Sequence, residues 1–144
     1  MLIEIIKILV ATFVGTLSFC VMFHSPKKAI VPAALIGTLT YILYFVANQL
    51  GLSVTLSTLV ASAIGSVVAQ LASRRMKIIA TVFIIAAMIP LVPGLGLYQS
   101  MAMLASGDAA AAMQLGISTM KIVLMLALGM SVGAFVFGAA QKQA

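Results

Sequence analysis

The chain has 144 residues, of which 64% are hydrophobic and 7% charged, with a mean hydropathy of +1.28. A soluble domain carries roughly 25% charged residues; this chain cannot cover itself with polar surface, which excludes a water-soluble globule. The net charge of +6 does not point to nucleic acid, because the bases are few and sit in short clusters between apolar runs, the pattern that orients a chain in a membrane.

Crossing the hydrocarbon core takes about 20 apolar residues, so the length suits one transmembrane domain over residues 1–144 with about five spans. The first run, residues 2–23, is apolar apart from Glu4 and Lys7, one turn apart and able to pair. Bulky Phe19 directly before Cys20 argues against a cleaved leader. Cys20 lies inside the run and is read as a buried, inert thiol. The run closes at His24-Ser25-Pro26-Lys27-Lys28, where His24 is expected as an interfacial loop residue.

A second span covers residues 29–48, with Tyr41 and Tyr44 expected in an aromatic belt and Asn48-Gln49-Leu50-Gly51 as the turn. The third, residues 53–72, carries Ala61, Ser62, Gly65, Ser66 and Ala69 at four-residue spacings. Small side chains at that spacing let backbones approach closely in lipid, which places this helix inside the bundle.

After Ser73-Arg74-Arg75-Met76-Lys77, a fourth run starts at Ile78 and meets Ile89-Pro90-Leu91-Val92-Pro93-Gly94 within about 12 apolar residues, too few for a span. Residues 78–105 would measure about 42 Å if straight, so the sequence predicts a fourth helix broken at residues 90–94. Ser106-Gly107-Asp108 is a turn ending in a good N-cap, and residues 109–140 read as one long helix interrupted in character by Lys121.

Lys27, Lys28, Arg74, Arg75, Lys77 and Lys142 mark alternate connections, while the other loops hold no base and one acid, Asp108. The sequence thus predicts an all-α bundle of about five transmembrane helices, N-terminus outside and C-terminus inside. No zinc-protease helix, phosphate loop or metal-ligand cluster is present, so neither an enzyme nor a metal or other cofactor is expected.

Pro90, Pro93 and Gly94 carry the strongest functional signal. Prolines strip backbone hydrogen bonds from a membrane helix, and freed groups are tolerated only against protein or a wet cavity. A half-helix starting near Gly94 can hold a carboxylate at its N-terminus, with Tyr98, Gln99 and Ser100 as donors; a kink with packing value only is the plainer reading. Lys121 fits two placements, a cavity-facing partner for an anion or the outer interface.

Three stretches together resemble the threonine/serine exporter family in its small, split-subunit (YjjB-like) form: Phe23-His24-Ser25-Pro26-Lys27-Lys28-Ala29-Ile30, Ser57-Thr58-Leu59-Val60-Ala61-Ser62, and Ile89-Pro90-Leu91-Val92-Pro93-Gly94 with Tyr98 downstream. The resemblance implies a secondary transporter of the cell membrane exporting threonine and serine, or a dicarboxylate such as succinate. It also implies a partner, a larger membrane subunit with a cytosolic N-terminal region. Two other classes compete: a non-transporting scaffold that stabilises a partner membrane protein, and a homo-oligomeric channel.

Overall fold

The computed structural model describes residues 2–141, with side chains described for residues 6–136. The expected Glu4–Lys7 pair and the base Lys142 therefore lie outside the described side chains. Among the described residues six α-helices follow one another: α1 Leu2–Met22, α2 Lys27–Gln49, α3 Val54–Met76, α4 Ala80–Met88, α5 Gly94–Ala105 and α6 Ala109–Gln141, with a 3₁₀ turn at Ile89–Leu91 between α4 and α5. Among the described residues no strand occurs.

Four connections use the same device. After α1, α2, α3 and α5, an amide reaches back five residues to a helical carbonyl: Ser25 to Cys20, Leu52 to Ala47, Ile78 to Ser73 and Asp108 to Met103, at 3.0–3.3 Å. This bond needs a left-handed residue just before the donor. Gly51 and Gly107 supply it at one end of the bundle (φ 89° each), whereas His24 and Lys77 supply it at the other (φ 53° and 55°). Asp108 caps α6 as its sequence position suggests, accepting from the Ala111 amide at 3.0 Å.

The exterior is unlike that of a soluble protein. Among the described residues seven polar side chains, Thr16, Thr40, Ser57, Thr58, Ser62, Ser66 and Thr119, are buried beside alanines, Phe83, Leu91 and Leu126, while Val10, Val14, Leu35, Leu39, Val60, Leu71, Leu124, Leu128 and Val132 face outward. An apolar exterior around a small-residue interior is what lipid selects, because hydrocarbon solvates leucine as well as a core does. Thr16, Thr40, Thr58 and Thr119 satisfy their hydroxyls within the helix, donating to the carbonyl four residues back at 2.8 Å.

Helix α3 lies at the centre, packed on α2, α4 and above all α6, with Ala61, Ser62, Gly65, Ser66 and Ala69 all buried. Gly65 is pressed on Thr40 of α2, Gly129 of α6 on Ser62, and Gly133 on Ser66. Four residues further along α6 correspond to four residues further along α3, so these two helices run parallel, and the Ser66 hydroxyl reaches the Gly129 carbonyl at 3.4 Å.

Among the described residues three helices are long and apolar enough to cross a membrane: α2, α3 and, over its described part, Ala109–Val136 of α6. The pair Ala80–Leu91 and Gly94–Ala105 makes a fourth when counted as one span, bent by 54°. Helix α1 has 21 residues, of which the described stretch Ile6–Met22 is apolar but shorter than the other spans.

Candidate functional site

The bend is built by the two prolines. Pro90 and Pro93 carry no amide hydrogen, so the carbonyls of Ala86 and Ile89 lose the donors a continuous helix would give them. The backbone improvises across the gap: the Val92 amide returns to Met88 at 3.2 Å, Gly94 closes a tight turn on Val92 at 2.8 Å, and Leu97 restarts the ladder on Pro93 at 3.1 Å. Leu91 anchors the break by burying itself with Ala61 and Leu126, against Leu43 and Tyr44.

The freed Ala86 carbonyl turns toward α2. A Cβ added at Gly37 would fall 2.6 Å from that oxygen and 2.7 Å from the Thr16 methyl of α1. Glycine is therefore required there, and α1 and α4 both approach α2 at this one residue.

Away from Gly37 they diverge and leave a furrow. Its middle section, about 350 Å³, is lined by Ile8, Ala11, Thr12, Gly15, Thr16 and Phe19 of α1, with Tyr41 opposite and Ile89 and Pro90 at the break. A second section of about 300 Å³ continues past Ile89 to the turn at His24, Ser25 and Pro26 and to Ile79 and Thr81. The two share Ile89, so the furrow runs from the basic end to the break and on toward the start of α1. From Ile8 to Met22 is about 21 Å of helix, much of a hydrocarbon core.

The residues singled out from sequence do not gather in one pocket. Pro90 lines the furrow. Gly94 is exposed with open space beside it, and Tyr98 and Gln99 are exposed on α5. Ser100 donates to the Leu97 carbonyl at 2.8 Å and lines a shallow apolar groove between α5 and α6 with Met101, Leu104 and Met113.

Lys121 is also exposed. The parallel register of Gly129 with Ser62, carried two turns back, sets Lys121 level with Val54, the first residue of α3, at the end away from the basic turns. Gly96 touches Thr119, so Gly94 lies near the same level. Helix α5 and the first dozen residues of α6 thus overhang the α2–α3 turn, and α5 buries no residue.

Tyr41 and Tyr44, expected in a belt, stand half-buried beside the break, their ring centroids 5.8 Å apart and their planes tilted by 44°. Sequence reasoning missed Thr12, Thr16 and Gly15 as lining residues. Their signal was present as Ala11-Thr12 and Gly15-Thr16, small and hydroxyl pairs recurring at one helical turn on the first run. Among the described residues no group of three potential metal ligands exists.

Three long apolar helices and a proline-broken pair, with no strand among the described residues, give the chain the architecture of an all-α membrane protein. The chain belongs to the threonine/serine exporter family: the family model described as Threonine/Serine exporter, ThrE, matches residues 8–136. No curated protein and no solved structure matches the chain.

Proposed function

We propose that the chain is the small subunit of a two-component secondary exporter of carboxylate-bearing metabolites, threonine and serine or a dicarboxylate such as succinate. It crosses the cell membrane five times, with the N-terminus outside and the basic turns inside. The observation that carries this reading is the furrow itself, open along one side and meeting the unpaired backbone of the Pro90–Pro93 break. An open half-channel is what one of two complementary subunits presents, with a larger membrane subunit closing the other side. Pro90 lines the path at the break, and Pro93, Gly94, Tyr98, Gln99, Ser100 and Lys121, which lie outside the furrow, would meet the pathway only on the side that the larger subunit completes.

The scaffold alternative drew on the small-residue face of α3 as an assembly surface. That face is occupied by the chain's own α2 and α6, which favours the exporter.

Gly15→Phe tests the reading. A Cβ at Gly15 meets nothing within 4 Å, so the ring fits the fold while filling the furrow. Efflux of labelled threonine, serine and succinate is measured from cells carrying both subunits. Export falls at least tenfold with membrane insertion intact; undiminished export in this variant supports the scaffold instead.

A further inference from the structure

The overhanging hairpin of α5 and α6 carries a surface that neither the bundle nor the bilayer covers. Helices α2 and α3 have 23 residues each, about 34 Å, the thickness of a hydrocarbon core with a little to spare. Helix α6 runs parallel to α3 in the register that sets Lys121 level with Val54, so residues 109–120 stand about 18 Å past the end of α3. The contact of Gly96 with Thr119 keeps α5 beside them. A span as long as α3 leaves this hairpin in the headgroup zone and the water beyond, where apolar side chains have no acyl chains to meet.

The apolar side chains of α6 are regularly spaced. Met113, Ile117, Met120, Leu124 and Ala127 follow at alternating four- and three-residue steps and are all exposed, one stripe of the seven-residue repeat that pairs two helices. The residues directly after the first three, Gln114, Ser118 and Lys121, are exposed and polar. A helix surrounded by lipid is apolar all round, so this edge is a wet rim beside a dry stripe. On its other side the stripe meets Met101 and Leu104 across the groove of about 380 Å³ between α5 and α6. Met101, Leu104, Met113, Ile117, Met120 and Leu124 are each 48–71% exposed. At roughly 100 Å² apiece they offer about 600 Å² of apolar surface, and the polar rim brings the face close to the roughly 800 Å² per partner of a standard interface.

We infer that this stripe is a homodimer interface: it pairs with the same stripe of a second copy, α6 beside α6 in parallel about a two-fold axis along the bundle. Two arguments select a copy over another partner. A copy lies in the same membrane at the same depth and in the same orientation, so its stripe meets this one level for level, each residue near its own counterpart. The overhang's two charges, Asp108 and Lys121, flank the stripe without entering it, so the pairing sets no like charges face to face. The furrow stays free, because α1 packs chiefly on α2 and α4, whereas α6 packs on α3 and α5. The pairing is therefore independent of the exporter reading.

The test uses the full chain with Cys20→Ser and one new thiol at a time, reconstituted in phosphatidylcholine vesicles and treated with a short bismaleimide. Thiols on the stripe, Met113→Cys, Ile117→Cys or Met120→Cys, give a cross-linked dimer in roughly fivefold higher yield than Gln114→Cys or Ser118→Cys one position away, and the difference persists on dilution with lipid. Ile117→Lys combined with Met120→Lys halves the mass of the purified protein in mild detergent, measured by light scattering. Its thermal unfolding stays with that of the parent, because both side chains are exposed. Equal cross-linking at all five positions, a yield that falls away with added lipid, or an unmodified chain that is monomeric in vesicles overturns the inference. Stripe thiols that cross-link only to a co-expressed larger subunit assign the face to that subunit and overturn it as well. None of these readouts involves transport, so failure here is separable from failure of Gly15→Phe in efflux.

Discussion

Replacing Gly129 with valine tests the central contact of the bundle. The new Cβ would fall 2.6 Å from the Leu59 carbonyl oxygen and 3.0 Å from the Ala63 amide, and nearer still to the Ser62 hydroxyl. The serine can rotate away, but the two backbone atoms cannot. Unstrained contacts lie at about 3.5 Å, so α6 must withdraw by roughly 1 Å along its closest approach to α3. Overpacking of this kind costs about 1–3 kcal/mol, and a backbone obstacle puts Gly129→Val at the upper end, about 3 kcal/mol. At about 3 °C per kcal/mol for a chain of this size, thermal unfolding of the purified protein in detergent, followed by circular dichroism, moves down by roughly 9 °C. Gly116→Val is the control, on the same helix with nothing within 4 Å of the added carbon. If Gly129→Val melts together with Gly116→Val and the unmodified chain, the parallel α3–α6 packing is wrong.

Three further outcomes follow from local geometry. Lys77→Gly relieves a left-handed non-glycine residue (φ 55°) and raises stability by about 0.5–1 kcal/mol, read as an upward shift of the same melting curve. Gly96→Val collides with the Thr119 side chain, whose Oγ1 would lie 2.6 Å from the new Cβ; because α5 packs mainly on α6, hydrogen exchange rises over Gly94–Ala105 while α2 and α3 stay protected. Pro90→Ala returns a donor to the Ala86 carbonyl and pulls the backbone away from Gly37, so export falls although the helix gains a hydrogen bond; spin-label distances between α4 and α2 report the shift, and unchanged distances with normal export contradict it.

Much of the architecture was readable because its causes are local. Turn chemistry at Pro26, Gly51, Gly107 and Asp108 delimits helices within a few residues, and two prolines three apart break a helix wherever it is put. The burial of Ala61, Ser62, Gly65, Ser66 and Ala69 follows from their size and spacing, although their partners, Thr40, Gly129 and Gly133, depend on how distant segments register. The furrow was not legible, because it arises from the angle at which α1 passes α4, and no residue on either helix encodes that angle alone. The level of Lys121 was ambiguous for a related reason: α6 is longer than a bilayer core, and only its register against α3 says which part lies beside the bundle.

The crossing at Gly37 has a mechanical meaning. Thr16 from one side and the Ala86 carbonyl from the other bear on a single residue without a side chain, like two beams resting on one bead. Tilting one beam about that bead widens the cleft above it as the cleft below narrows. A side chain at Gly37 would wedge the two beams off their common bearing, because neither the methyl nor the backbone oxygen leaves room for it.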